Sequence, residues 1–351
     1  MNAACPKSMT FGPCGGVGDD AGCEVDRRPC PFLGPEQSRV LSDEAARLHV
    51  GVVPLVLPSP VLVVDVRAPS GWRGDVRQVW RRTAERLRGC VALLGEHVDN
   101  PRREDDAGPL DATIAIGILS SHDVPVIATV TGRDRDLPAA AAIMRRLAAA
   151  GAVAIHCVTG DHPAALSIDR AAWFGAESVA LVRVANEIGL AATVGEAPSS
   201  VGPRPDRIRL KARAGASLCI LNHGGNAVDL VSFVDRSRRL DVDMPFLGPI
   251  PMVGDVAAAA GLEKFPGLKL PPGYVRAIVG ADDPLAMGIE RASSLAAELA
   301  SSQRFGGVNL SGSAAGSDPY QRIESMGRFI DGVRSAWTTA APARSQFGRV
   351  P

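Results

Sequence analysis

VLVVDV, residues 61–66, is an unbroken aliphatic run interrupted by one carboxylate. A strand with one wet face alternates apolar and polar residues. A continuous run of this length reads instead as a strand covered on both faces, as in parallel sheets. Comparable runs recur at ALLGEHV (92–98), PVIATVT (125–131), AVAIHCVTG (152–160), LAATVG (190–195), SLCILNH (217–223), PFLGPIP (245–251) and GVNLSG (307–312). Helical stretches fall at about 75–90, 110–121, 137–150, 171–188, 205–214, 226–239, 283–301 and 318–336. Eight strands alternating with eight helices predict a parallel sheet. Eight such repeats over about 280 residues match a closed (β/α)8 TIM barrel of α/β class. A doubly wound open sheet is the alternative, but no GxGxxG follows the first strand. One irregular excursion, LEKFPGLKLPPGY near 262–275, interrupts the pattern between the last two strands.

Composition narrows the function. The 351 residues carry 38 basic and 38 acidic side chains, without the basic surplus that phosphate binding requires, so no nucleic-acid partner is expected. Aromatics are only 4%, which argues against base-stacking platforms. No apolar run reaches the roughly 20 residues of a membrane helix. The longest candidate, 52–66, is broken by Pro54, Pro58 and Pro60. The first residues, MNAACPKSMTFGPCGG, lack the apolar centre of a secretory signal, so a cytoplasmic location is expected.

The cysteines fall into two sets. Cys90, Cys157 and Cys219 lie singly in apolar stretches and read as small buried hydrophobes. Cys5, Cys14, Cys23 and Cys30 share a Gly- and Pro-rich segment with almost no apolar periodicity, which cannot bury enough surface to fold unaided. In a reducing compartment two disulfides are disfavoured, leaving a metal on four thiolates: zinc, with an iron–sulfur cluster as the lesser option. The spacing is not the paired CxxC of a zinc ribbon. The expected organisation is a cysteine-rich metal-binding module and linker over 1–50, a catalytic barrel over 51–338 and a tail over 339–351.

In a barrel of this kind, chemistry collects at the C-terminal strand ends. Those positions are Asp65, His97 and Asp99, Thr131 with Arg133 and Asp134, Thr159-Gly160-Asp161, Asn222-His223, and Asn309 with Ser311. Asp65, flanked by apolar neighbours, is hard to explain as a solvated surface group. Its plain alternative is a structural carboxylate that caps a helix or pairs with an arginine. The Thr-Gly-Asp turn places a carboxylate beside free amides at a helix start, or is simply a tight turn.

Four blocks in order, VPVIATVTGRDRD (124–136), GAVAIHCVTGDHP (151–163), RIRLKARAGASLCILNHGG (207–225) and DVDMPFLGPIPM (241–252), resemble the methylenetetrahydrofolate reductase family over about 60–335. The Cys5–Cys30 segment independently resembles a small cysteine-rich module that accompanies some bacterial reductases of this type, fused or as a separate subunit. The resemblance implies that Asp65 is the general acid and that Asp161, Asn222 and His223 meet the pterin. It further implies that Thr131, Gly160 and Lys211 contact the cofactor, Lys211 through flavin phosphate. A tetrahydrofolate derivative is the implied partner, in a homo-oligomer or with a partner subunit. The implied activity is reduction of 5,10-methylenetetrahydrofolate to 5-methyltetrahydrofolate with NAD(P)H, directly or through a flavin such as FAD. The alternatives are a folate enzyme that transfers the methylene unit without hydride, or a non-catalytic partner subunit.

The departures from the family are numerous and systematic. The acid is Asp65 where the family has Glu, and the pterin amide is Asn222 where it has Gln. Where the family holds its flavin with an aromatic and a His, this chain reads Ala192–Pro198, and His223-Gly224-Gly225 replaces phenylalanines. The acid role also sets an energetic demand. A free Asp titrates at about 3.9, so a proton donor at neutral pH needs about 4 kcal/mol of preference for its neutral form, which burial can supply.

Overall fold

The computed structural model describes residues 5–18, 20–48, 50–67, 74–96, 112–166, 171–199, 201–263 and 268–342. Eight parallel strands close into one barrel in sequence order: β1 Val61–Val66, β2 Val91–Leu94, β3 Val126–Thr131, β4 Ala152–Val158, β5 Ala192–Glu196, β6 Ala216–Leu221, β7 Phe246–Met252 and β8 Gly307–Gly312. The expected TIM barrel is therefore present, and the open-sheet alternative falls because β1 pairs with β8. The helices are α1 Glu36–Arg47, α2 Val76–Arg86, α3 Ala112–Ser120, α4 Leu137–Ala149, α5 Ser178–Glu187, α6 Arg204–Arg213, α7 Ala227–Arg238, α8 Val256–Glu263, α9 Tyr274–Val279, α10 Pro284–Ser302 and α11 Pro319–Ala340. None of the described helices is long and apolar enough to cross a membrane.

The period-two geometry of strands explains how the barrel is filled. In β1, Leu62, Val64 and Val66 face the helix layer and join the large outer core, while Val63 points inward. Inward residues of the other strands, among them Leu93, Ile127, Ala154, Leu218 and Leu247, make an apolar layer with Val63. Val53, Leu55 and Leu57, just before β1, pack against that layer. Two residues further along β1 the inward position is Asp65, and along β4 it is His156. The apolar layer thus gives way to a polar one at the C-terminal mouth.

Three differences from the sequence reading have local causes. The segment 36–47, expected as linker, is α1, whose Leu41 and Ala45 belong to the main core and which packs on α6. Helix α5 begins at Ser178 rather than near 171 because Phe174 bridges in extended fashion to Arg133. The excursion after β7 contains the short helices α8 and α9. Of the strand-end candidates, His97 and Asp99 lie outside the described residues.

Prolines shape one seam. β7 pairs with β8 from Leu247 to Met252 but with β6 only at Phe246 and Leu247. Pro249 and Pro251 lack the N–H a ladder needs, so their missing donors face the side where pairing stops.

Candidate functional site

A cavity of about 370 Å³ opens at the C-terminal mouth, and Asp65, Thr131, Gly160, Asp161, Lys211, Asn222 and His223 all line it. The residues singled out on the barrel are thus brought to one place from β1, β3, β4, β6 and α6. Gly160 turns the chain with φ +92°, and a Cβ there would lie 3.1 Å from that of Thr131. This keeps the Thr159–Asp161 turn tight against β3.

Asp65 is the perturbed acid. Burial raises its carboxyl to about 6, against the opposing pull of Arg67 and of a hydrogen bond with the Asn309 side chain. Its Oδ1, the Asn309 Oδ1 and the Thr131 Oγ1 are all buried without a hydrogen-bond partner among the described residues. All three residues wall the same cavity. Buried polar atoms are almost always paired in native proteins, so these three atoms leave the void lined with groups available to water or to a polar ligand.

Asp161 and Asn222 project into the open part of the cavity, where both are exposed. Asp161 meets water at the mouth yet is ringed by protein. Lost solvation raises its pKa, Lys7 opposes that shift, Glu24 adds to it, and Arg133 and Arg67 oppose it. Arg133 also donates through Nη1 to the Asp161 carbonyl at 2.6 Å. His223 shares a 2.6 Å hydrogen bond between Nε2 and Ser311 Oγ, and burial lowers its pKa to about 4. His156, with Nδ1 2.9 Å from Thr193 Oγ1, is held at about 4 by burial and then by Lys211. Both imidazoles are neutral at pH 7.

Lys211 stands elsewhere in the chemistry than the resemblance implies. Its Nζ donates to Gly195 O at 2.6 Å and to Glu196 Oε2 at 2.8 Å. Glu196 also meets Arg204 Nη1 at 3.4 Å and Arg207 Nη1 at 3.2 Å. Burial would raise the Glu196 carboxyl, but Lys211, Arg207 and Arg204 together hold it at about 2. The two arginines reach further, Arg204 to the carbonyls of Pro13 and Cys14 and Arg207 to that of Phe11. The three cations around Glu196 are engaged by it, the two arginines also by the N-terminal segment, so a flavin diphosphate does not fit on Lys211 in this arrangement.

The N-terminal segment is itself part of the site, which the sequence did not reveal. Lys7, Cys14, Gly15 and Gly16 wall the cavity beside Asp161 and Asn222. Nothing in the local pattern of CPKSM announces this, because the contacts join residues some 190 positions apart. Asn309 stood among the strand-end positions, whereas Glu196 and His156 were visible only as polar residues within strands.

Cys5, Cys14, Cys23 and Cys30 line one small void of about 20 Å³, room for about one water molecule. Yet no group of three or more His, Cys, Asp or Glu among the described residues is placed to hold a metal ion. The fold gathers the four thiols without bringing them to ligating positions. Burial raises the thiol pKa of both Cys14 and Cys30.

Compared with family models and with curated proteins, the sequence finds no match. Solved structures do resemble it. A protein from Clostridium thermocellum that binds two copies of 5-methyl-5,6,7,8-tetrahydrofolic acid matches with a TM-score of 0.58 at 11% identity, over 85% of this chain and 99% of that one. A mutant tryptophan synthase alpha-subunit from Pyrococcus furiosus matches with a TM-score of 0.45 at 12% identity, over 81% of this chain and 99% of that one. The closed barrel, with the first of these structures, places the chain in the class of (β/α)8 TIM barrels. At these identities the likeness is one of fold.

Proposed function

We propose that the mouth cavity binds a reduced pterin of the tetrahydrofolate type and that the protein reduces 5,10-methylenetetrahydrofolate to 5-methyltetrahydrofolate. The observation that carries this reading is the meeting of Asp65, Asp161 and Asn222 in one cavity, from three separate strands, with orphaned polar atoms around them. The Clostridium thermocellum protein of the same fold, with its bound methyltetrahydrofolate, is consistent with that ligand class.

The chemistry follows from the positions. The pyrimidinone edge of a pterin offers N–H donors to Asp161, and Asn222 can both donate and accept. Asp65, neutral when protonated in its buried position, gives its proton to N10 as the C–N10 bond of the imidazolidine ring opens. The methylene then stands as an iminium on N5. Hydride, which NAD(P)H would supply when bound, turns this carbon into a methyl group, and Asp65 is reprotonated from solvent. No step is routed through a flavin. We further propose that Cys5, Cys14, Cys23 and Cys30 hold a zinc ion, or in second place an iron–sulfur cluster, after their side chains turn toward the void they share.

A second reading is methylene transfer to another nucleophile without hydride; the pairing of Lys211, Arg204 and Arg207 with Glu196 bears on it by removing the flavin route and leaving direct transfer from NAD(P)H as the reading it competes with. The non-catalytic subunit reading is weakened because the cysteine segment is docked on its own barrel.

The test follows NADH and NADPH oxidation with 5,10-methylenetetrahydrofolate while 5-methyltetrahydrofolate is quantified. Turnover is expected, declining as pH rises above about 6 because only protonated Asp65 donates. Asp65→Asn is expected to abolish turnover while retaining folate binding. Folate binding without nucleotide oxidation would move the assignment to methylene transfer, and an active Asp65→Asn would remove Asp65 from the mechanism.

A further inference from the structure

Gly195 is an inward position of β5 without a side chain. Ala192 and Val194 of that strand join the outer core, so Thr193 and Gly195 face the barrel interior. Glycine weakens a strand and often stands where another backbone or a ligand approaches closely. Backbone conformation does not require it here, because Gly195 is not among the residues of positive φ. Packing does not require it either. A Cβ at Gly132 would run into the Ala176 carbonyl, and one at Gly248 would stand 2.6 Å from Leu299 Cδ1. At Gly195 the nearest contacts would be ordinary ones: His156 Nε2 at 3.6 Å, Asn222 Oδ1 at 3.7 Å and His156 Cε1 at 3.8 Å. Gly195, His156 and Asn222 all line the mouth cavity, so the missing methyl leaves open space that a ligand can enter.

The two side chains beside this gap have a defined polarity. Thr193 is fully buried, and the partner of its Oγ1 among the described residues is His156 Nδ1, at 2.9 Å. A buried hydroxyl with one partner is better satisfied by donating than by accepting, since an orphaned hydrogen is rarer in proteins than a spare lone pair. Thr193 therefore donates to Nδ1, which puts the proton of the neutral ring on Nε2 and turns an N–H toward the gap. The Asn222 carboxamide lies between two glycines. Its Nδ2 is 3.5 Å from where a Cβ of Gly15 would stand, and its Oδ1 is turned to Gly195. A donor and an acceptor thus flank one open space. Beneath them the Gly195 carbonyl is held by Lys211 Nζ at 2.6 Å.

We propose that the gap over Gly195 seats a planar ring lactam, with His156 Nε2–H donating to its carbonyl and Asn222 Oδ1 accepting from the adjacent N–H. This rests on the folate reading above, because the pyrimidinone of a reduced pterin carries that lactam, C4=O beside N3–H. His156 is then a binding residue, and Thr193, which does not touch the ring, is a positioning residue that fixes the imidazole tautomer. Asp161 is left to the remaining donor of the same edge, the 2-amino group. A ring with an amino group for the carbonyl and a bare nitrogen for the N–H would set donor against donor and acceptor against acceptor, so the pair selects as well as binds.

The test uses the full chain near neutral pH, with Kd measured by calorimetry for 5-methyltetrahydrofolate and for its 4-amino-4-deoxy counterpart, and folding followed by thermal melts. The wild type is expected to prefer the lactam by about a hundredfold. Gly195→Ala is expected to melt no lower than the wild type, yet to bind the lactam about tenfold more weakly because its methyl fills the gap. His156→Leu is expected to lose most of the preference. Thr193→Val, which keeps the shape and removes the hydroxyl, is expected to lose part of it. A purely structural role for either residue would lower the melting temperature and leave the preference intact. Should His156→Leu fail to fold, Gly195→Ala and Thr193→Val decide. A wild type that binds both ligands equally, a Gly195→Ala protein that binds like the wild type, or a preference that survives in every folded variant of His156 and Thr193 overturns the assignment and leaves folate binding standing. A wild type that binds neither ligand overturns both.

Discussion

Glu196 illustrates how single residues of this mouth are constrained. Its side chain is fully buried, yet it stays ionised because Lys211, Arg207 and Arg204 surround it. Replacing the carboxylate by an amide leaves three buried cations without their common anion, the arrangement in which breaking a buried pair costs most. Glu196→Gln is expected to destabilise the protein by about 3–5 kcal/mol, measured by urea unfolding at pH 7. Because Arg204 and Arg207 also hold the carbonyls of residues 11, 13 and 14, the same variant should loosen the N-terminal segment, seen as faster amide exchange over residues 10–18. A loss below about 1 kcal/mol would show that the cations find other partners.

At the scale of elements, legibility followed periodicity. All eight strands could be read from the sequence because each is covered on both faces and so is written as an apolar run. Helix α1 was not, since EQSRVLSDEAAR is strongly polar and only Gln37, Leu41 and Ala45 are buried. Helix α8, VAAAAGLE, has no distinct polar face from which a helix could be read. The candidate site divided the same way. Asp65, Asp161, Asn222 and His223 were accessible because strand ends announce themselves. Lys7 and Glu24 were not, because their place depends on docking contacts between distant parts of the chain. The role of α1 is open to measurement. It packs on α6, the helix that carries Arg204, Arg207 and Lys211, and Leu41 is fully buried between them. Leu41→Ala is expected to cost about 2–5 kcal/mol, the loss typical of a core leucine. A linker residue would give a value within about 0.5 kcal/mol of zero, and chemical denaturation distinguishes the two.

Over the whole molecule the barrel is divided between an apolar layer that fills its interior and a polar mouth that lines its cavity. Asp65 stands at the boundary, one inward step beyond Val63, and the folded protein raises its carboxyl to about 6 by burial. A carboxylate that is harder to ionise in the folded state than in the unfolded chain opposes folding once it is charged. The unfolded chain loses this proton at about 3.9, so its contribution is absent below that pH. As pH climbs from about 4 to 6 the folded state retains a proton that the unfolded chain has released, and stability is lost through that window. Above it the penalty is constant, about 3 kcal/mol for a difference of this size. Asn at 65 has no charge to bury and can keep a hydrogen bond with Asn309. Asp65→Asn is therefore expected to raise the melting temperature at pH 8 by a few degrees, with the difference from wild type shrinking as pH falls and vanishing near pH 4. An inactive variant that is more stable than the wild type above pH 6, and only there, is what a buried proton donor maintained against folding would produce. A difference in melting temperature that is the same at pH 4 and pH 8 would mean that the Asp65 proton is not linked to folding, and its proposed role as the acid would lose its physical basis.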